Sequence, residues 1–286
     1  MANLKLGFPN RIDAATVSGG SWQSTLPLSN IKDRRLSRLA RSTNAALANT
    51  IINLDLGSAK TVGAVALVTH NLSASALVRV RGDDAADFAT PLYDSGWKNA
   101  WPSGVIPAEL LEWEDDNFWL GTVSAEAIAG YQSPYINNID SRPVLRYWRI
   151  EINDTSNPSG YVQVGRVFIG DVWSVTNNYS GGAALGLEDS TGIESSIGGE
   201  EYFDVKKRFR VFQFSLDDLT DTEAYARVID LQRLAGISGE LLIIPNADDI
   251  TNGFRRNFLG RLRSLSPMMQ LNFRIKTAKF EVKEIF

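Results

Sequence analysis

A single histidine, His70, and no cysteine leave this 286-residue chain few ways to do chemistry. Thiol catalysis, a disulfide framework and cysteine-ligated zinc are excluded at once, and the absence of thiols fits a protein made in a reducing cytoplasm. His70 stands in VTHNLS at the end of an apolar run. A catalytic triad or zinc site built on it needs partners that this composition hardly supplies, so it reads as a polar turn residue. Carboxylates cluster in GDDAADF, EWEDDNFW and NADDITNG. Folding could gather such oxygens around Ca²⁺, although none of these segments matches an EF-hand loop. A pair could also serve as glycosidase acid and base, with Asp115 and Asp116 the residues to change. The favoured reading is solvated turns: no catalytic residue, no metal ligand and no cofactor is assigned, with calcium left open. GGAALG lacks the strand before and helix after that a nucleotide-binding loop requires, so it reads as linker.

Two other residue types point to contacts. Trp97, Trp101, Trp113 and Trp119 lie in a loop-rich stretch. Aromatic faces stack on sugars or on partner proteins, and these four are the candidate ligand- or partner-binding residues, with a small core beneath the loops as the alternative. The basic stretches IKDRRLSRLARS and FRRNFLGRLRS hold Arg34, Arg35 and Arg38, then Arg255, Arg256, Arg261 and Arg263. The first could form an amphipathic helix for nucleic acid. A net charge of −4 gives no overall attraction to phosphates or to an anionic membrane, so an interface or solvated face is the better reading for the first, and a contact face or lumen of an assembled ring for the second, these arginines being the candidate oligomer-interface residues. No sequence-specific nucleic-acid binding and no membrane insertion are expected, because no run approaches the length of a span. The start of the chain lacks the basic and apolar regions of a signal peptide, which gives no expectation of classical secretion.

The elements that position these residues are mostly strands. Ile52, Leu54 and Leu56 share one face while Asn53 and Asp55 point away. TVGAVALVTH reads as a strand buried on both faces, and ALVRVRG sends Arg79 and Arg81 to a solvated or interface side. Alternation returns in RYWRIEIND and YVQVGRVFIGDVW. Together these predict a β-sandwich over residues 46–173 with its long loops collected at the ends. Residues 174–200 have no sustained period and read as a Gly/Ser-rich linker or arm. In 201–286 a strand precedes a helix with a Thr220/Glu223 capping box, an apolar stripe of Ala224, Val228, Leu231 and Ala235, and a stop at Gly236. Four strands follow, so this part is expected to be a small α+β unit of β-α-β-β-β-β order. The fold class is therefore mainly β.

The segments SWQSTLPLSNIKD, TIINLDLGS, TVGAVALVTHNLS, VRVRG, YDSGW, RYWRIEI and VQVGRVFIG occur in an order that resembles the discoidin, or coagulation factor type C, family, a galactose-binding-like jelly roll, over roughly residues 20–173. The terminal cysteines of many extracellular members are absent, and no sugar-binding signature transfers residue by residue. The whole chain resembles minor tail or baseplate proteins of long-tailed bacteriophages, most nearly the distal tail proteins, in which a tail-tube-like belt domain forms a ring. Those proteins usually place the ring domain before the jelly roll. The reversed order here would be reconciled if residues 1–45 completed the belt. The resemblance implies a virion structural protein made in the host cytoplasm and located at the tail tip. It implies a homo-oligomeric ring, hexamer or trimer, that docks the tail tube and other baseplate proteins. A carbohydrate-binding adhesion module contacting a host surface glycan is the alternative, and a polysaccharide-cleaving enzyme ranks last.

Overall fold

The computed structural model describes residues 2–102, 113–114, 121, 134–270 and 275–286, which form two compact units. Unit 1 comprises Met1–Ser174 with Leu241–Leu259, and unit 2 comprises Val175–Glu240 with Gly260–Phe286. Residues 241–259, which the sequence reading kept with 201–286, thus lie in unit 1. So do residues 1–45, which the sequence reading offered to the ring domain.

The chain is mainly β, and unit 1 is a β-sandwich. Its larger sheet runs from Thr16–Ser18 through Ile52–Thr61 and Val144–Asn153 to Leu77–Asp83, with Tyr93–Asp94 and Lys98–Asn99 on the outer edge. The facing sheet places Ala64–Leu67 between Val167–Gly170 and Tyr135–Asn138. Period-two alternation turns Ile52, Leu54, Val78, Val80, Trp148, Ile150 and Ile152 inward, where they meet Val65, Leu67, Val167 and Ile169 in one core. Trp148 fits because its ladder partner is Gly82, where a Cβ would fall 3.0 Å from the indole. A third set of strands, Lys5–Gly7 between Val172–Ser174 and Leu241–Ile244, ties both ends of unit 1's sequence together. YVQVGRVFIGDVW, read from the sequence as a segment of returning alternation, holds three strands: Gln163–Val164, Val167–Gly170 and Val172–Ser174. Arg166 interrupts it, fully buried, donating to the Lys32 carbonyl and to Asp13.

Unit 2 centres on Lys276–Glu284, which pairs with Phe209–Leu219, with the Gly260–Leu262 part of the strand Phe258–Leu262 and with Met269–Gln270. The predicted helix forms as a wide turn over Glu223–Ile229 that passes into Asp230–Ala235. Its start carries the expected reciprocal box: the Glu223 N–H donates to Thr220 Oγ1 at 3.2 Å while Glu223 Oε2 accepts from the Thr220 hydroxyl at 3.0 Å. Ala224, Val228, Leu231 and Ala235 are buried, and Gly236 ends the helix at φ 53°. Across the sheet, Glu284 receives the Arg210 N–H at 2.8 Å and Nε at 3.0 Å, and Arg210 Nη2 closes the fork on its second oxygen.

The linker reading of 174–200 needs correction. Ala184–Glu188 pairs with Phe209–Leu219, and Gly192–Ser195 forms a hairpin with Glu201–Asp204. Glycine and serine hid the strands because the side chains that alternate there face solvent on both sides, leaving no apolar period to read.

Candidate recognition surfaces

The side of the larger sheet turned away from the core of unit 1 is a field of planar polar groups. Asn53 and Asp55 come from one strand, Tyr147, Arg149 and Glu151 from the next, and Arg79, Arg81 and Asp83 from the third, because the alternation that buries their neighbours points them outward. Most charges are paired. Arg79 Nε donates to Asp94 Oδ1 at 2.9 Å and its Nη2 to the second oxygen, a bidentate contact. Arg146 holds Asp55 in the same way at 2.7 and 2.8 Å, and Arg81 Nη2 donates to Glu151. These hydrogen bonds hold the Asp94 and Asp55 carboxyls below the usual carboxylate range. Arg149 differs. Its Nε donates to the Asn53 amide oxygen at 2.8 Å, and the Phe88 ring lies 4.3 Å from its guanidinium carbon. Burial and then the neighbouring Arg81 depress its pKa.

Trp97, Trp101 and Trp113, the candidate tryptophans within the described residues, differ in exposure. Trp97 is 39% exposed, with the Arg79 guanidinium 5.9 Å from its ring, and Trp113 is 70% exposed. Trp101 is only 4% exposed: its Nε1 donates to the Leu72 carbonyl at 2.9 Å and it packs with Phe254, so it cannot stack on a ligand. Trp119 lies outside the described residues, as do Asp115 and Asp116. Beside Trp101 a groove of about 530 Å³ is lined by Tyr135, Asn138, Asp249 and Phe254.

His70 is a structural residue in this setting. Its Nδ1 accepts the Leu72 N–H at 3.3 Å and its ring meets Trp101 edge-on, centroids 5.4 Å apart. Burial lowers its pKa to about 4, with Asp154 opposing the shift. Asp154 in turn receives the Ser73 N–H and hydroxyl and the Asn157 amide. Asp249 is committed to the Asn252 N–H and to Arg256. Among the described residues no three His, Cys, Asp or Glu side chains converge as a metal site needs.

The amphipathic helix considered for IKDRRLSRLARS is absent. Leu28–Lys32 makes a short 3₁₀ turn, after which Arg34 pairs with Asp13 and both Arg35 and Arg38 with Asp33, on the surface of unit 1. Asp33 Oδ1 accepts both the Arg35 N–H at 2.9 Å and Nε at 3.1 Å, a local clasp that depresses its pKa and ends the turn. The later arginines separate: Arg255 and Arg256 are in unit 1, where Arg256 reaches Asp249, and Arg261 and Arg263 are in unit 2, where Arg263 joins Glu188 and Glu281.

Unit 2 carries its own surface. The 192–204 hairpin exposes Ile193 (61%) and Phe203 (55%), together with Tyr202 and, at its tip, Ile197. The adjoining strand Ala184–Glu188 exposes Leu185 and Leu187 and has no strand on its outer edge among the described residues. The joint is firm: Asp189 accepts the Thr191 N–H and hydroxyl and the Arg208 Nε, which lowers its pKa to about 2. Sequence reading missed Phe88, Arg149 and the apolar arm residues. The signal for Arg149 was available in its alternation with Trp148 and Ile150, whereas nothing local announced that Phe88 would fold over it.

No family model and no curated protein matches the chain. Among solved structures, it is similar to a family 89 glycoside hydrolase from Clostridium perfringens at 14% identity and a TM-score of 0.38, over 60% of this chain and 15% of that one. It is also similar to CBM32-1 from a family 31 glycoside hydrolase of the same organism, at 13% identity and a TM-score of 0.36, over 57% of this chain and 99% of the module. A fucose binding module from Streptococcus pneumoniae shows 13% identity and a TM-score of 0.36, over 57% and 94%. The chain thus spans only a small part of the full-length hydrolase it resembles.

Proposed function

We propose that this protein is a non-catalytic structural component that assembles head to tail with copies of itself, the arm of unit 2 seated on the next copy. The observation that carries this reading is the 192–204 hairpin. A two-stranded ribbon with no core of its own is marginal in water, and this one turns Ile193, Tyr202 and Phe203 to solvent. An exposed apolar edge strand beside it is a template for pairing with another chain. Charge favours a second copy as that chain. Residues 181–205 hold six acids and no Lys or Arg; Glu188, Asp189 and Asp204 pair within the unit with Arg263, Arg208 and Lys206, which leaves Glu194, Glu200 and Glu201 without a cation among the described residues. Unit 2 itself offers exposed Arg261 and Lys279 as a complement. The arm and its receiving surface are different patches, so the contact is heterologous and repeats until a ring closes or a filament grows. A closed ring at the distal end of a long phage tail, hexameric or trimeric, is the form we expect, with unit 1 left to meet tail neighbours or the host surface. Negative-stain electron microscopy tests this: closed rings that vanish when Leu187, Ile193 and Phe203 are changed to Ser support it, and rings that persist in that variant refute the role of the arm.

A second reading is favoured by Trp97 beside Arg79 and by Tyr147, Asn53, Arg149 and Glu151 on the same sheet of unit 1. Aromatic faces next to planar hydrogen-bonding groups are the chemistry that recognises sugar rings. On this reading unit 1 contacts a carbohydrate. Glycan-array binding lost in Trp97→Ala supports it, and an array with no binding by the wild-type protein excludes it.

A further inference from the structure

We propose that the outer face of the strands Val144–Asn153 and Leu77–Asp83 binds an anionic ligand group, a saccharide carboxylate, held between the guanidinium groups of Arg149 and Arg81. This rests on the reading of unit 1 as a carbohydrate-contact module and adds a charge requirement to it. Arg149 and Arg81 are direct partners in the antiparallel ladder. Like charges placed directly opposite destabilise a sheet unless a counter-charge lies between or beside them.

The counter-charges on this face are spoken for. Asp94 takes Arg79, Asp55 takes Arg146, and Glu151 takes Arg81 and lies 4.0 Å from Arg79. Asp83 accepts the Asp84 N–H at 2.8 Å. Among the described residues Arg149 is the one arginine of these four with no carboxylate partner, its hydrogen bond going to the neutral Asn53 amide. A guanidinium has five N–H donors in a fixed fork, and four of those on Arg149 remain for a ligand. Phe88 covers a face of the Arg149 guanidinium, and its φ of 56° is one that a bulky residue adopts only when the surroundings hold it there. Stacking of this kind leaves the in-plane edge, where a carboxylate accepts two parallel bonds, as the open approach. A planar carboxylate matches that edge, and Trp97 beyond Arg79 offers a face to the rest of a sugar.

The test is calorimetric titration of the full chain with oligosaccharides ending in glucuronate or N-acetylneuraminate, each beside its carboxyl-reduced counterpart. The expected result is binding of an acidic sugar about tenfold or more tighter than its reduced form, a preference abolished in Arg149→Met and weakened in Arg149→Lys, which keeps the charge and loses the fork. If R149M does not fold, the weakened preference in R149K carries the test. Equal binding of acidic and reduced sugars, or a preference untouched in the Arg149 variants, overturns the charge requirement and leaves carbohydrate contact standing. No binding of either form overturns both.

Discussion

The strand Val144–Asn153 of unit 1 and the strand Gly192–Ser195 of unit 2 each pair in antiparallel fashion, yet only the first has a place for its apolar side chains. Trp148, Ile150 and Ile152 enter a core roofed by a second sheet, while Ile193 has only its hairpin partner beside it. A sandwich satisfies its own apolar surface and is stable as a monomer. A ribbon does not, and its residues are informative because they cannot be explained by folding alone. The comparison separates side chains that hold the protein together from side chains that hold it to something else.

Changes in the first region should be the most damaging. Trp148→Ala is expected to cost about 3–5 kcal/mol in chemical denaturation, since it empties the centre of the sandwich. Trp148→Phe should cost far less, because the indole N–H has no acceptor and little but volume is lost. Similar losses for the two variants would show that the particular shape of the indole, and not the volume it fills, sets the cost. In unit 2, Glu284→Gln removes the carboxylate that receives both the main chain and side chain of Arg210. Removing the counter-charge of that buried guanidinium should destabilise by about 3–5 kcal/mol, and a change under about 1 kcal/mol would place the pair among surface ion pairs instead. Thr220→Ala removes half of the capping box and should cost about 1 kcal/mol, read as a lower denaturant midpoint with an unchanged slope.

The smallest expected effect is confined to acid. The folded protein lowers the His70 pKa from 6.5 to about 4, so between those values the unfolded chain binds a proton that the folded one refuses. Stability from this residue is present above pH 6.5, falls as the pH drops and levels off below about 4. Subtracting the stability–pH curve of His70→Asn from that of the wild type should isolate this loss. A flat difference would mean that His70 titrates normally when folded.

How far the sequence discloses this arrangement depends on where each residue's partners lie. Alternation exposed the sheet of unit 1 because Ile52, Leu54, Trp148 and Ile150 answer to one buried face. The capping box at Thr220 and Glu223 was readable because its partners are three residues apart. The sequence left Trp101 open between a stacking surface and a small core beneath the loops because its acceptor, the Leu72 carbonyl, and its neighbour Phe254 are distant in sequence. The arm strands were missed for the opposite reason: they lack a buried face within the chain, so Leu185, Leu187 and Ile193 had no period to declare. Arg149 showed its direction but not its lack of a carboxylate partner, which is visible only once Asp55, Asp94 and Glu151 are seen to be held by other arginines.

The measurement that bears most directly on the central claim is sedimentation velocity across a concentration series, comparing the wild-type chain with one carrying Leu187→Ser, Ile193→Ser and Phe203→Ser. Thermal melts of the two should agree within about 0.5 kcal/mol, as expected for surface positions. We expect the wild type to shift to a discrete large species as concentration rises and the variant to remain a monomer. A wild type that stays monomeric throughout, or a variant that assembles equally well, would contradict the assignment of the arm as the element that joins one copy to the next.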